Sequence, residues 1–212
     1  MGKSKVAVLV AEFLGTFALV SVVLAVVNSV SLPFFAAAAA ATTLAVMVLV
    51  IGSISGSHIN PAVTVGLWSI NKIETSLAVG YIAAQMLAGY AAAVMYSWFT
   101  NTEVLTGGQP GGLDWRIAVA ELIGTALFTF GIAAAVARAF DALQQAAAIG
   151  GALFIGILVA SLGSAGAVNP AVALGANVWT LSYAVAPLLG GALGMNLYNY
   201  LYAVPVAKTR KK

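Results

Sequence analysis

Six stretches of this chain, roughly 6–28, 34–54, 75–99, 116–138, 143–163 and 181–203, are dominated by apolar side chains for about twenty residues each. As a helix, a run of that length crosses a hydrocarbon core of about 30 Å. Composition agrees: 62% of the 212 residues are hydrophobic and 7% are charged, against about 25% charged in a soluble domain. Charge this sparse cannot cover a water-facing surface, whereas a lipid-facing surface needs none. An all-α integral membrane protein is therefore expected. Lys3 and Lys5 ahead of the first run give it the look of a secretion signal, but its length and Glu12 point to a retained first helix. With no cysteine in the chain, disulfides and thiolate metal sites are excluded.

An even number of spans puts both termini on one side, and the basic residues choose which. With the termini inside, Lys3, Lys5, Lys72, Arg138, Lys208, Arg210, Lys211 and Lys212 all fall on the cytoplasmic side, leaving Arg116 outside. That distribution obeys the positive-inside rule and predicts a multi-pass protein of the cell membrane with cytoplasmic termini. The basic residues are not gathered on one face beside aromatic or polar readers, so nucleic acid is not an expected partner.

The junctions 55–74 and 164–180 are too apolar for solvent loops and too short for further spans. About ten helical residues from Pro61 would reach roughly 15 Å, half a membrane. Irregular backbone at that depth is tolerated only where it is buried in protein or lines a wet cavity.

These junctions belong to an internal repeat with an offset of 109. Glu12 and Thr16 recur as Glu121 and Thr125, Ser55 as Ser164, Asn60-Pro61-Ala62-Val63 as Asn169-Pro170-Ala171-Val172, and Gly66 as Gly175. Three spans per copy is an odd number, so the second copy enters from the opposite side, and such repeats place their site at the midplane between copies. The chain reads as one channel domain over 1–212, with repeats at about 1–100 and 113–212 joined by a glycine-rich outer loop, 100–112, containing Gly107, Gly108 and Pro110.

A single Asn-Pro marks only a helix start, with Asn as the cap and Pro in the first turn. Two copies opening half-length helices toward each other do more. Each Asn side-chain oxygen caps its own helix, which leaves amide N–H groups to donate into a lumen. The two positive helix ends oppose cations there.

Ser55-Gly56-Ser57-His58-Ile59-Asn60-Pro61-Ala62-Val63-Thr64 and Val168-Asn169-Pro170-Ala171 resemble the two signature loops of the aquaporin (major intrinsic protein) family, and Ala11-Glu12-Phe13-Leu14-Gly15-Thr16 resembles the start of its first helix. The resemblance covers essentially the whole chain. It implies a right-handed bundle of six transmembrane helices plus two re-entrant half-helices, assembled as a homotetramer with one pore per subunit. It also implies that Glu12 and Glu121 brace the re-entrant loops and that His58 lines the pore.

The chain departs from the family pattern at the outer filter. Val172 stands where most aquaporins carry Arg after the second Asn-Pro-Ala, and Ala40 stands where water-specific members carry a bulky aromatic. Gly166 matches the loop position, and the fifth-helix contributor is Val159 or Ile157. The Asp that marks glycerol facilitators shortly after the second motif is absent. A wide, apolar filter is expected, open to water or to glycerol, urea, ammonia, hydrogen peroxide, neutral metalloid acids or dissolved gas. An apolar constriction can also close by dewetting.

The chain carries no paired nucleophile and base, no phosphate-cradling loop and no metal-ligand cluster, so neither an enzyme nor a cofactor is expected. The competing readings are a poorly conducting structural or adhesive protein of the same fold and, with the arginine missing, an ion-permeable channel.

Overall fold

The computed structural model describes residues 4–104 and 111–202, which form eight helices. Lys3, Lys208, Arg210, Lys211 and Lys212, and Gly107, Gly108 and Pro110 of the outer loop, lie outside the described residues. The long helices are α1 (Lys5–Val27), α2 (Pro33–Ser55), α4 (Thr75–Thr100), α5 (Trp115–Ala137), α6 (Ala142–Ala160) and α8 (Leu181–Tyr202). The short ones are α3 (Pro61–Ser69) and α7 (Pro170–Gly175).

Local chemistry sets these boundaries. Pro33 occupies the first turn of α2, where its missing N–H costs nothing. Asp114 caps α5 by accepting from the backbone N–H groups of Arg116 and Ile117. Asp141 and Gln144 exchange hydrogen bonds in a capping box at the head of α6, satisfying two donors reciprocally.

Five long helices are apolar enough throughout to cross a membrane. The sixth, α8, has the length with 22 residues but is made more polar by Asn196, Asn199 and its tyrosines. Part of that polarity is paired within the protein, since Asn196 Nδ2 donates to Ser69 Oγ on α3 at 2.7 Å at the exposed face.

The short helices differ for a reason visible in the chain. Both end in the same motif, with an Asn in the left-handed region at φ 59° (Asn71) and 57° (Asn177). The next residue's N–H returns to the last turn, Lys72 to Leu67 O at 2.8 Å and Val178 to Ala173 O at 3.0 Å. This is the Schellman ending that stops a helix. Asn177 comes three positions earlier in its repeat than Asn71, so α3 has 9 residues, against about ten expected from Pro61, and α7 has 6.

The halves interlock. In each, the first helix packs on the second and the fourth, α1 on α2 and α4, and α5 on α6 and α8. Each short helix, however, packs chiefly on the last long helix of the other half, α3 on α8 and α7 on α4. Those crossings are close because glycines face backbone. Added carbons at Gly191 and Gly89 would land on the carbonyl oxygens of Ala62 and Ala171. In lipid, where burying apolar surface drives little association, such close backbone packing holds helices together.

The surface carries exposed Leu49, Val79, Leu127 and Ile155, as lipid contact demands. Trp98 and Trp115 project near helix ends, where membrane interfaces collect aromatics. The polar side chains lie inside instead: Glu12, Gln85 and Glu121 are fully buried.

Candidate functional site

The two loops that lead into α3 and α7 turn sharply at membrane depth, and the turns are strained. Ile59 sits at φ 39° and Val168 at φ 43°, with Ser57 at 51° and Gly166 at 66°. A β-branched residue in the left-handed region is uncommon and costs about 1–3 kcal/mol. Ile59 and Val168 are 109 positions apart, so the repeat extends to its strain.

What holds those turns is the pair of buried carboxylates. Glu12 Oε1 accepts from Ser55 Oγ at 2.6 Å and His58 N at 3.0 Å. Its Oε2 accepts from Ile59 N and Gln85 Nε2, both at 2.7 Å. Glu121 Oε1 accepts from Ser164 Oγ at 2.7 Å and Ala167 N at 2.9 Å, and its Oε2 from Val168 N at 2.6 Å. The serines act as a second tier, with Ser55 Oγ accepting from Ser57 N and Ser164 Oγ from Gly166 N. Gln85, on α4, also bonds Thr64 of α3. Its counterpart at 109 positions on is Gly194, so the first loop carries one more polar brace than the second.

Beyond the strained residues stand the capping asparagines. Asn60 Oδ1 accepts from Ala62 N at 2.8 Å, and Asn169 Oδ1 from Ala171 N at 2.9 Å. Pro61 and Pro170 begin the two helices and are buried with Ala62 and Ala171. The expectation that both amide N–H groups of each Asn stay free needs correction. Asn60 Nδ2 donates to Val168 O at 2.9 Å and Asn169 Nδ2 to Ile59 O at 3.0 Å. One N–H of each Asn thus ties its helix to the opposite loop, leaving the other uncommitted. Each strained residue spends its N–H on a carboxylate and its C=O on the far half's asparagine.

Two cavities lie along this axis. The larger, about 320 Å³, contains Ala40, Ile157, Gly166 and Val172 in its wall and reaches Asn60 and Asn169. The smaller, about 180 Å³, opens on the other side past Val63, Leu67 and Ile149. Of the two fifth-helix candidates, Ile157 lines the larger cavity and Val159 does not. At about 100° per residue, Val159 lies on the far side of α6 from the row Leu153, Ile157 and Ser161, which faces the cavity. His58 borders both cavities. So do Leu44 and Phe128, which the sequence reading passed over. Leu44 was within reach, lying one turn beyond Ala40 on the same helix face. Phe128 lies two turns beyond Glu121 on α5.

Among the described residues, no cluster of His, Asp or Glu is placed to hold a metal ion.

Two half-helices meeting cap to cap, with a cavity on either side, match a known family. The profile described as Major intrinsic protein fits residues 2–198. The chain belongs to this family. It is 36% identical to Aquaporin Z of Photorhabdus laumondii over 151 residues, covering 61% of this chain and 65% of that relative. It is 40% identical to Aquaporin AqpM of Methanothermobacter thermautotrophicus over 91 residues, or 40% of this chain and 37% of that protein. The chain thus spans under two thirds of the length of these relatives. Among solved structures, the aquaglyceroporin from Plasmodium falciparum superposes with a TM-score of 0.72 at 23% identity, over 96% of this chain and 98% of that one. At that identity the likeness is one of fold: six long helices and two half-helices in an inverted repeat.

Proposed function

We propose that this member of the major intrinsic protein family is a passive transmembrane channel for water and small uncharged solutes, with glycerol, urea, ammonia, hydrogen peroxide, neutral metalloid acids and dissolved gas as the candidate cargo class. The observation that carries the reading is the larger cavity, which reaches Asn60 and Asn169, each asparagine keeping one N–H uncommitted, and which adjoins the smaller cavity at Leu44, His58 and Phe128. A passing oxygen or nitrogen accepts from those groups in turn. A cation meets two helix N-termini, whose partial positive charge opposes it.

The outer filter inferred from the family pattern is wide in this reading. Ala40, Ile157, Gly166 and Val172 belong to the wall of the larger cavity and bring no charge, and of the four only Ile157 has a large side chain. The subunits assemble as homotetramers in the cell membrane with cytoplasmic termini. No chemistry is done on the solute, and no cofactor is needed.

The test is reconstitution into liposomes, with stopped-flow light scattering for water and a panel of neutral solutes. Flux above empty vesicles for at least one solute is expected, without current in a planar bilayer. Permeability equal to empty vesicles across the panel would favour the structural or adhesive reading, and ionic current would favour the ion-permeable one.

A further inference from the structure

The repeat allows each pore residue to be compared with its twin 109 positions away. Leu44 pairs with Leu153, Leu19 with Phe128, and Ala167 with His58. All six border the larger cavity. Only Leu44, Phe128 and His58 also border the smaller one. Where a pair differs, the bulkier member stands on the inner side, Phe for Leu and His for Ala. The cavities differ in size, about 320 against 180 Å³, with the smaller one on the side of the longer half-helix α3 and of the bulkier pair members.

The three shared residues are fixed in place. Leu44 and Phe128 are 2% and 1% exposed. The His58 ring meets Tyr81 edge-on at 5.0 Å, and its Nδ1 lies 3.1 Å from Thr64 Oγ1. The opposite edge, with Nε2, lies beside Gly56, which lines the smaller cavity. Two large apolar side chains and one imidazole edge therefore separate the chambers. An apolar neck lets water through only when a polar group replaces some of its lost hydration.

We propose that Leu44, His58 and Phe128 form the selecting constriction of this pathway, an inner ring in which the His58 edge is the one polar rung, while the outer filter positions form an open antechamber. The proposal rests on the channel reading and locates where that channel selects.

The absence of native cysteine gives a test that does not depend on flux. Val172→Cys and Val63→Cys place a thiol at the same repeat position in the two chambers. A charged methanethiosulfonate reagent should label Val172→Cys from the outer face only and Val63→Cys from the inner face only. In flux, Phe128→Leu installs the side chain the other half already tolerates. It should raise water and glycerol permeability severalfold, glycerol the more, and by a larger factor than Val172→Ala. Protection of Val172→Cys from the outer face would put the barrier at the outer mouth and overturn the ring. So would labelling of Val63→Cys from outside, or a larger gain from Val172→Ala than from Phe128→Leu. Failure of the channel reading looks different: neither thiol reacts from either face, no variant exceeds empty liposomes, and the ring falls with it.

Discussion

Replacing Glu12 by Leu removes acceptors at the point where the chain has least freedom to find others. Four donors converge on this carboxylate, two of them backbone N–H groups, of His58 and Ile59. Buried donors left without partners cost about 1–3 kcal/mol each, so the two backbone groups alone cost roughly 2–6 kcal/mol. That is a large part of the 5–15 kcal/mol that holds a typical domain folded. Ser55 Oγ adds to the loss, because it donates only to Glu12. Glu121→Leu also orphans two backbone donors, of Ala167 and Val168, but Ser164 Oγ keeps Ala160 O at 2.8 Å. Glu12→Leu should therefore be the worse of the two. Glu→Gln at either site keeps one oxygen and turns an NH₂ toward the other donors. For Glu121 that orphans Val168 N alone; for Glu12 it orphans Ile59 N, while Gln85 can rotate its amide to accept. Each Gln variant should lose about half as much as its Leu counterpart. Thermal unfolding in one detergent, followed by circular dichroism, ranks the four variants. Gln and Leu variants that melt together, or with the wild type, would mean the loops stand without the carboxylates, and the bracing argument would fail.

Asn60→Ala and Asn169→Ala each remove a helix cap worth about 0.5–2 kcal/mol and a bond to the opposite loop. Both should melt earlier and lose solute flux in swelling assays, and wild-type transport by two folded single mutants would dismiss the asparagines as pore groups. Gly191→Ala pushes a carbon onto the Ala62 carbonyl and should sharply lower folded yield, whereas Gly151→Ala meets nothing within 4 Å and should be neutral; equal yields would show that the α3–α8 crossing can open at little cost. Val172→Arg brings a fixed charge and up to five donors into the larger cavity and should cut glycerol flux more than water flux. Unchanged rates for both solutes in folded protein would take Val172 out of the path.

Much of the fold was legible because the signals were long or doubled. Apolar runs located the long helices to within a few residues, and Asn-Pro located the starts of α3 and α7 because cap chemistry is local. The end of α7 was legible in principle too, since Asn177 is the stop signal. What stayed hidden depends on which atoms meet across the molecule. Nothing near Asn60 in sequence announces that its amide would donate to Val168 O, 108 positions away. The choice between Ile157 and Val159 turned on helix rotation, which loop length does not report. Phe128 drew no notice because an aromatic in an apolar span normally packs in a core or faces lipid, and only the second cavity sets it apart.

The distribution of differences between the halves explains how one repeated skeleton carries two cavities of unequal size. The residues that fix the backbone are bound in closed circuits. Glu12 holds Ile59, whose carbonyl holds Asn169, whose oxygen caps α7; Glu121 holds Val168, whose carbonyl holds Asn60, whose oxygen caps α3. Each circuit crosses from one half to the other at its asparagine, so removing Asn60 or Asn169 orphans a partner in both. That over-determination lets two β-branched residues stay at positive φ, where local energetics alone would release them. The lining residues carry no such obligation. Leu19 and Phe128 occupy the same place in the two copies and make no hydrogen bond to the loops, so one can be enlarged without disturbing the circuits. Shape at the axis can thus change in side chains that lie outside the hydrogen-bonded circuits, while the caps, carboxylates and turns stay as they are.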